Sequence, residues 1–544
     1  MSQIWDTKSK RPIPRRPGER CNGLMSSAHT ASAVAITVGN GPLTIDNVVA
    51  VARHGASVVL DGAALERMAA TRAVIDALAD DTEPHYGVST GFGALATRHI
   101  PVELRAQLQR SLVRSHAAGS GPEVEREVVR ALMLLRLATL ATGRTGIRPE
   151  VALTYAAMLT AGITPVVHEY GSLGCSGDLA PLAHCALAAM GEGPVRLADG
   201  TLTEASTALR DNGIEPIVLR EKEGLALING TDGMLGMLCL AIADLRHLLR
   251  VADLTTAMSV EGLLGTDHVF AADLHALRPQ PGQALSAANI VRLMADSPIR
   301  HSHDADDCPR VQDAYSLRCA PQVTGAARDT VEHAARVAAY ELASAIDNPV
   351  VTVDGRVESN GNFHGAPVAY VLDFLAIVTA DVASMSERRT DRFLDRTRSN
   401  GLPAFLAGDP GVDSGHMIAQ YTQAAIVSEL KRLAAPASVD SIPSSAMQED
   451  HVSMGWSAGR KLRRSVDGLT RVLAIELLTA ARGLGLRAPL LPSPATGAVV
   501  AALREGVPGA GPDRFLAPEI EYAVHLVSSG RALAAAEAVT GPLA

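Results

Sequence analysis

The pattern of apolar and polar positions divides the chain into two stretches of different texture. Between about residues 36 and 222, short apolar segments alternate with turns bearing Gly and Pro. Two segments there, ERMAATRAVIDALA and EREVVRALMLLRLATLAT, repeat apolar residues at intervals of three and four, the spacing of one helical face. From Glu223 onward the pattern becomes long Ala- and Leu-rich runs, such as GMLGMLCLAIADLRHLLRVADLTTAMSVEGLL, DTVEHAARVAAYELASAI and GAPVAYVLDFLAIVTADVASMSERRTDRFL. Runs beyond about 25 residues predict elongated helices in a bundle rather than short helices in a globule. Polar and charged residues recur inside them, so they do not read as membrane spans. The expectation is a mainly all-α fold: a smaller mixed N-terminal domain over 36–222, then a long-helix bundle and C-terminal helical region over 223–544. Residues 1–35 are rich in Pro, Arg and Gly, lack an apolar core after their basic residues, and read as a disordered tail.

Composition supports this picture. Ala and Leu abound while aromatic residues are only 3%, which favours packed helices over strands. A formal net charge of -9 supplies no basic field for nucleic acid, and neither a nucleic-acid nor a membrane partner is expected. The six cysteines show no Cys-x-x-Cys pair, so neither a disulfide scaffold nor a zinc site is indicated, and a reducing cytoplasm fits best.

The chemistry concentrates in separated blocks. In GSLGCSGDLAPLAH, Gly171–His184, the Cys175-Ser176-Gly177 centre is suited to cyclise. A glycine nitrogen, unhindered by a Cβ, can approach the carbonyl two residues earlier if the loop bends tightly. Loss of water closes a five-membered ring, and a second dehydration at the serine leaves an electron-poor methylidene open to amines. Alone, the same residues punctuate a loop, with Ser176 or Asp178 capping a helix through LAPLAHCALAAM.

Other blocks carry similar alternatives. HYGVSTGFGALATRHI sets Tyr86 among Gly87, Gly91 and Gly93, as either a lid bearing a phenol or a turn with a packed tyrosine. RVQDAYSLRCAPQ spaces Gln312, Tyr315 and Arg318 by three, which on a helical turn directs them to one side, suiting carboxylate recognition or an ordinary polar face. LALINGTDGM supplies Asn229, SNGNFHGAP supplies Phe363 as a wall for a planar ring or a core residue, and LVRSHAAGSG supplies Ser115-His116. AMQEDHVSMGW places Gln448, Glu449, Asp450 and His451 together as a site or a solvated turn. RHSHDADDCPR, with His301, His303, Asp304, Asp306, Asp307 and Cys308, lacks a ligand spacing of known type and reads as a solvated acidic loop. SERRTDR, around Glu387–Arg389, reads as a salt-bridged helix surface or subunit contact.

Together these blocks resemble the histidine and aromatic amino acid ammonia-lyases, over about residues 40–544. One departure is Cys175, where that family usually has alanine; the ring does not use this side chain. The resemblance implies an elongated, fumarase/aspartase-like central bundle. It also implies a 4-methylideneimidazole-5-one (MIO) group formed from Cys175, Ser176 and Gly177, with no metal and no diffusible cofactor. Tyr86, Ser176, Tyr315 and Glu449 would be catalytic; His116, Asn229, Gln312, Arg318, Phe363 and Glu449 would bind substrate, Arg318 through its carboxylate. Members acting on histidine carry Ser-His and QEDH at the positions of Ser115-His116 and Gln448–His451, which implies that L-histidine loses ammonia to give trans-urocanate. Tyrosine or phenylalanine ammonia-lyases and aminomutases are the alternatives within the family, and a ring-free helical lyase or a small-molecule binding scaffold those outside it. A homotetramer with active sites shared between subunits is also implied.

Overall fold

Helix-favouring Ala, Leu and Met residues carry Asp232–Gly262 through 31 residues of unbroken helix, about 46 Å at 1.5 Å per residue. This central helix is buried along almost its whole length, as expected of a helix surrounded by others. Helices Arg126–Ala141, Ala320–Leu342, Ala366–Leu394 and Gly455–Gly485 pack against it. The mainly all-α expectation is met; among the described residues the strands are two to four residues long and form four small sheets. The computed structural model describes residues 35–79, 85–91, 93–304 and 311–544, so the tail read over 1–35 lies outside the described residues up to Val34. Residues 35–544 form one unit, and Arg126–Ala141 shares its core with the long helices.

The bundle buries charge as well as carbon. Asp253 on the central helix accepts from Arg328 at 2.6 Å and from Asn289 at 2.9 Å. Glu261 accepts from Thr496 Oγ1 at 2.5 Å and the Ser493 N–H at 2.7 Å; burial raises its pKa. Arg389 donates twice to Glu476, at 2.5 and 2.8 Å, and Ser259 donates to the same carboxylate at 2.7 Å. This corrects the surface reading of the SERRTDR run. Arg389 is buried where Ala366–Leu394 faces Gly455–Gly485, and Glu387 where it faces Met417–Leu433, accepting from Gln420 at 2.6 Å; only Arg388 of the three stays in solvent.

Ala366–Leu394 is by length and hydropathy able to cross a membrane, yet 61% of its most apolar window is buried inside the protein. Its outer side keeps Tyr370, Phe374 and Ile377 exposed, three apolar side chains at helical spacing.

Buried pairs of this kind are costly to break because the surviving charge is stranded. Replacing Glu476 with Leu strands Arg389 and is expected to lower the unfolding free energy by about 3–5 kcal/mol, read as a lower urea midpoint at unchanged slope. A loss below about 1 kcal/mol would show that solvent or another group reaches Arg389.

Candidate active site

The loop 171–178 is clamped at Gly177. Its φ is +78°, and a Cβ there would lie 1.9 Å from the Gly230 carbonyl oxygen, so only glycine fits. The next amide, of Asp178, donates to that same oxygen at 2.7 Å. Asp178 directly precedes helix Leu179–Ala189 but does not cap it with its side chain. Its Oδ2 instead accepts the Gly233 and Met234 N–H groups, both at 2.9 Å, in the first turn of the central helix, and Oδ1 accepts Ser172 Oγ at 2.9 Å. The expected cap thus serves another helix, because the loop folds over that helix's N-terminus. Burial pushes the Asp178 carboxyl up to about 7, although all three donors pull it down. Across the loop, Ser453 Oγ donates to the Gly174 carbonyl at 2.8 Å and the Met454 N–H to that of Leu173 at 2.9 Å.

Ser176 faces a cavity of about 580 Å³ whose lining includes Tyr86, His116, Asn229, Asn348 and Glu449. Its hydroxyl donates to Glu449 Oε1 at 3.1 Å. Cys175 beside it is buried, which pushes its thiol up to about 12 and keeps it protonated.

His116 is the last residue of helix Val102–His116. Its Nδ1 lies 2.9 Å from the Leu112 carbonyl, which can only accept, so Nδ1 carries the proton and Nε2 is left as an acceptor. Burial lowers its pKa, favouring the neutral ring. Glu449 sits in a turn closed by reciprocal backbone bonds with Ser444, whose hydroxyl also donates to Oε2 at 3.0 Å. Gln448, Asp450 and His451 are exposed, so of that polar run Glu449 alone enters the cavity lining.

Asn229 ends the short helix Glu223–Ile228. Its Nδ2 donates to the Asn348 carbonyl at 2.9 Å and its own carbonyl accepts from Arg136 at 2.8 Å, while its buried Oδ1 has no partner among the described residues. The Tyr86 hydroxyl accepts the Gly93 N–H at 3.3 Å. Burial raises the pKa of this phenol, and the charges of Glu449 and Asp347 raise it further.

Of the residues expected to act on or bind substrate, four do not line this cavity within one chain: Gln312, Tyr315, Arg318 and Phe363. Tyr315 and Arg318 share one side of a single helical turn, the guanidinium carbon 4.7 Å from the ring centroid. Gln312 does not join them on a helix, because the helix starts only at Tyr315 after an extended Ala314, while Asp313 accepts the Thr266 N–H at 2.7 Å. Phe363 is half-buried. Of the acidic run, His301 bonds Asp304 at 2.9 Å and Asp304 pairs with Arg300; Asp306, Asp307 and Cys308 lie outside the described residues. Asn348, Ser445 and Arg98 line the cavity without having been singled out. For Asn348 the only cue was the turn implied by Asp-Asn-Pro in IDNPV.

A profile of the family described as aromatic amino acid lyase matches residues 43–505. The histidine ammonia-lyase of Streptomyces griseus is 68% identical over 512 residues, covering 94% of this chain and 99% of that protein. That of Gloeobacter violaceus is 48% identical, covering 92% and 97%. Among solved structures, a tyrosine aminomutase from Streptomyces globisporus superposes with a TM-score of 0.88 at 37% identity, covering 94% of this chain and all of that one. Histidine ammonia-lyase from Trypanosoma cruzi gives 0.85 at 38% identity, covering 93% and 95%.

Asp178 makes the stability of this site dependent on pH. Its folded pKa of about 7 lies above its ordinary 3.8, so its contribution to stability is full below about pH 4 and is lost as pH rises to about 7. In urea unfolding, the stability of the parent relative to Asp178→Asn, which is neutral throughout, should decline over that window; a constant or widening advantage would contradict the assignment.

Proposed function

Because the chain belongs to the aromatic amino acid lyase family, we propose that it is a carbon–nitrogen lyase that eliminates ammonia from L-histidine to give trans-urocanate. The observation that carries this reading is the meeting of Glu449, His116 and Ser176 around one cavity. The loop suits MIO formation from Cys175, Ser176 and Gly177. Gly177 offers a nitrogen without a neighbouring Cβ, in a turn held from the Gly230 and Ser453 sides. Once formed from these residues, that group would supply an electron-poor carbon at position 176 as the electrophile toward the substrate amine.

The chain's own side chains do the rest. His116 Nε2 accepts one imidazole N–H and the Glu449 carboxylate accepts the other when the ring is protonated. Asn229 Oδ1 is placed to accept from the substrate amine. Tyr86 removes the β-proton, so the fraction of active enzyme rises with pH as the phenol ionises. Arg318 would hold the carboxylate, with Tyr315, Gln312 and Phe363 completing the wall from other subunits of a homotetramer. Two features favour that arrangement: these residues stand outside the cavity of their own chain, and Tyr370, Phe374 and Ile377 leave an apolar row uncovered.

A structural likeness to tyrosine aminomutases keeps a second outcome in view, return of ammonia to the β-carbon. The test is incubation with L-histidine, L-tyrosine and L-phenylalanine while following product absorbance, free ammonia and β-amino acids. Urocanate from L-histidine alone is expected. The intact protein should weigh two waters less than its sequence, and Ser176→Ala should retain both waters and lose turnover. Glu449→Gln should lower kcat/KM for L-histidine about a hundredfold, the scale of a charge-assisted hydrogen bond. A β-amino acid product, or turnover of L-tyrosine alone, would reject the reading.

A further inference from the structure

Behind the cavity lies an ion pair that the chemistry above does not use. Lys222 and Asp347 are both fully buried, with Nζ 2.5 Å from Oδ2. Asp347 is built into the wall of the site. Its Oδ1 accepts the Asn348 N–H at 2.7 Å, and its carbonyl accepts Asn360 Nδ2 at 3.0 Å. Asn348 in turn accepts the Asn229 amide at its carbonyl and the Asn360 N–H at its Oδ1. Lys222 is tied to the same wall from the other side. It has left-handed backbone (φ 71°) and precedes helix Glu223–Ile228, which ends at Asn229. Its methylenes pack with Leu225 and Pro349 under Gly87, the residue after Tyr86: a Cβ at Gly87 would meet those three at 3.0–3.5 Å.

We propose that Lys222 and Asp347 are positioning residues for the elimination: one buried pair fixes the Asn229–Asn348 wall and the backbone beneath Tyr86, and presents a balanced charge to the Tyr86 phenol. A buried pair is a weak source of stability, since desolvation offsets most of the attraction, so an ionic link in this place points to geometry and charge. Among the described residues, the charged groups around Tyr86 are Glu449 from the 444–449 turn, Asp347 from the segment before Pro349, and Lys222 beyond it; Arg98 and His116 line the same cavity. Glu449 and Asp347 both oppose ionisation of the phenol; the Lys222 ammonium, in direct contact with Asp347, offsets that carboxylate, and the buried Arg136 guanidinium is the next cation behind it.

The inference rests on Tyr86 as proton acceptor, and the test separates the two. Lys222→Met leaves the carboxylate uncompensated, whereas Asp347→Asn removes it while keeping Oδ1 for the Asn348 N–H. The pH at half-maximal kcat should move up in the first and down in the second, by about one unit each, with kcat falling about tenfold and KM changing less. The double variant, which removes both charges of the pair, should return the midpoint to the parental value. Tyrosinate absorbance, read as the difference between each protein and its Tyr86→Phe form, follows the same ionisation without substrate. Midpoints that stay fixed, move the same way in both single variants, or remain displaced in the double variant would overturn the proposal. If the parent makes no urocanate, the functional reading falls, and the tyrosinate titration still decides the role of the pair.

Discussion

The Asp178 carboxylate is the constraint on which the site depends. It belongs by sequence to the loop that carries Ser176, yet one of its oxygens is spent on the first turn of the central helix Asp232–Gly262. Four N–H groups at a helix start lack partners within the helix, and here a residue from elsewhere in the chain satisfies two of them. The loop is thereby registered against the element that all the other long helices touch. Placing a carboxyl at a positive helix end offsets part of the cost of burying it. The remainder appears as a pKa pushed up to about 7.

The same economy recurs around the cavity, where helix ends rather than helix faces supply the functional groups. His116 closes Val102–His116, Asn229 closes Glu223–Ile228, and Ser176 stands just before Leu179–Ala189. A side chain at a helix end projects from rigid backbone while its peptide groups remain free to bond outward. Arg136 uses that freedom by taking the carbonyls of Asn229 and Ile346, at 2.8 Å each, joining two walls through one buried guanidinium.

Helix periodicity made the bundle legible because these helices bury faces with regular spacing; the run from Gly233 to Leu264 became the single helix Asp232–Gly262. The Gly177 turn was legible because a glycine requirement leaves a residue-type signature. Glu449 and His116 stood out through neighbouring residues, but nothing in the string told Glu449 from Asp450: one faces the cavity and the other solvent, because a reversed turn at Ser444 decides which way each points. The partnership of Lys222 and Asp347 was illegible for a different reason, since two charges 125 positions apart carry no mark of contact. Periodicity also misled at Gln312, where a spacing of three was read as a helix that begins only at Tyr315.

Three groups in the polar lining of the cavity are acceptors: His116 Nε2, the Glu449 carboxylate and Asn229 Oδ1, whose own amide group already donates to Asn348; Arg98 stands among them as a donor. Until a ligand arrives, the Ser176 and Ser444 hydroxyls serve Glu449 and water serves the other two acceptors, so binding exchanges one set of donors for another at little net gain. A molecule with donors in the right places therefore enters without being held tightly, while one lacking them is refused by the desolvation left uncompensated. Such a pocket selects by penalty rather than by attraction, which allows discrimination to be steep while occupancy stays readily reversible.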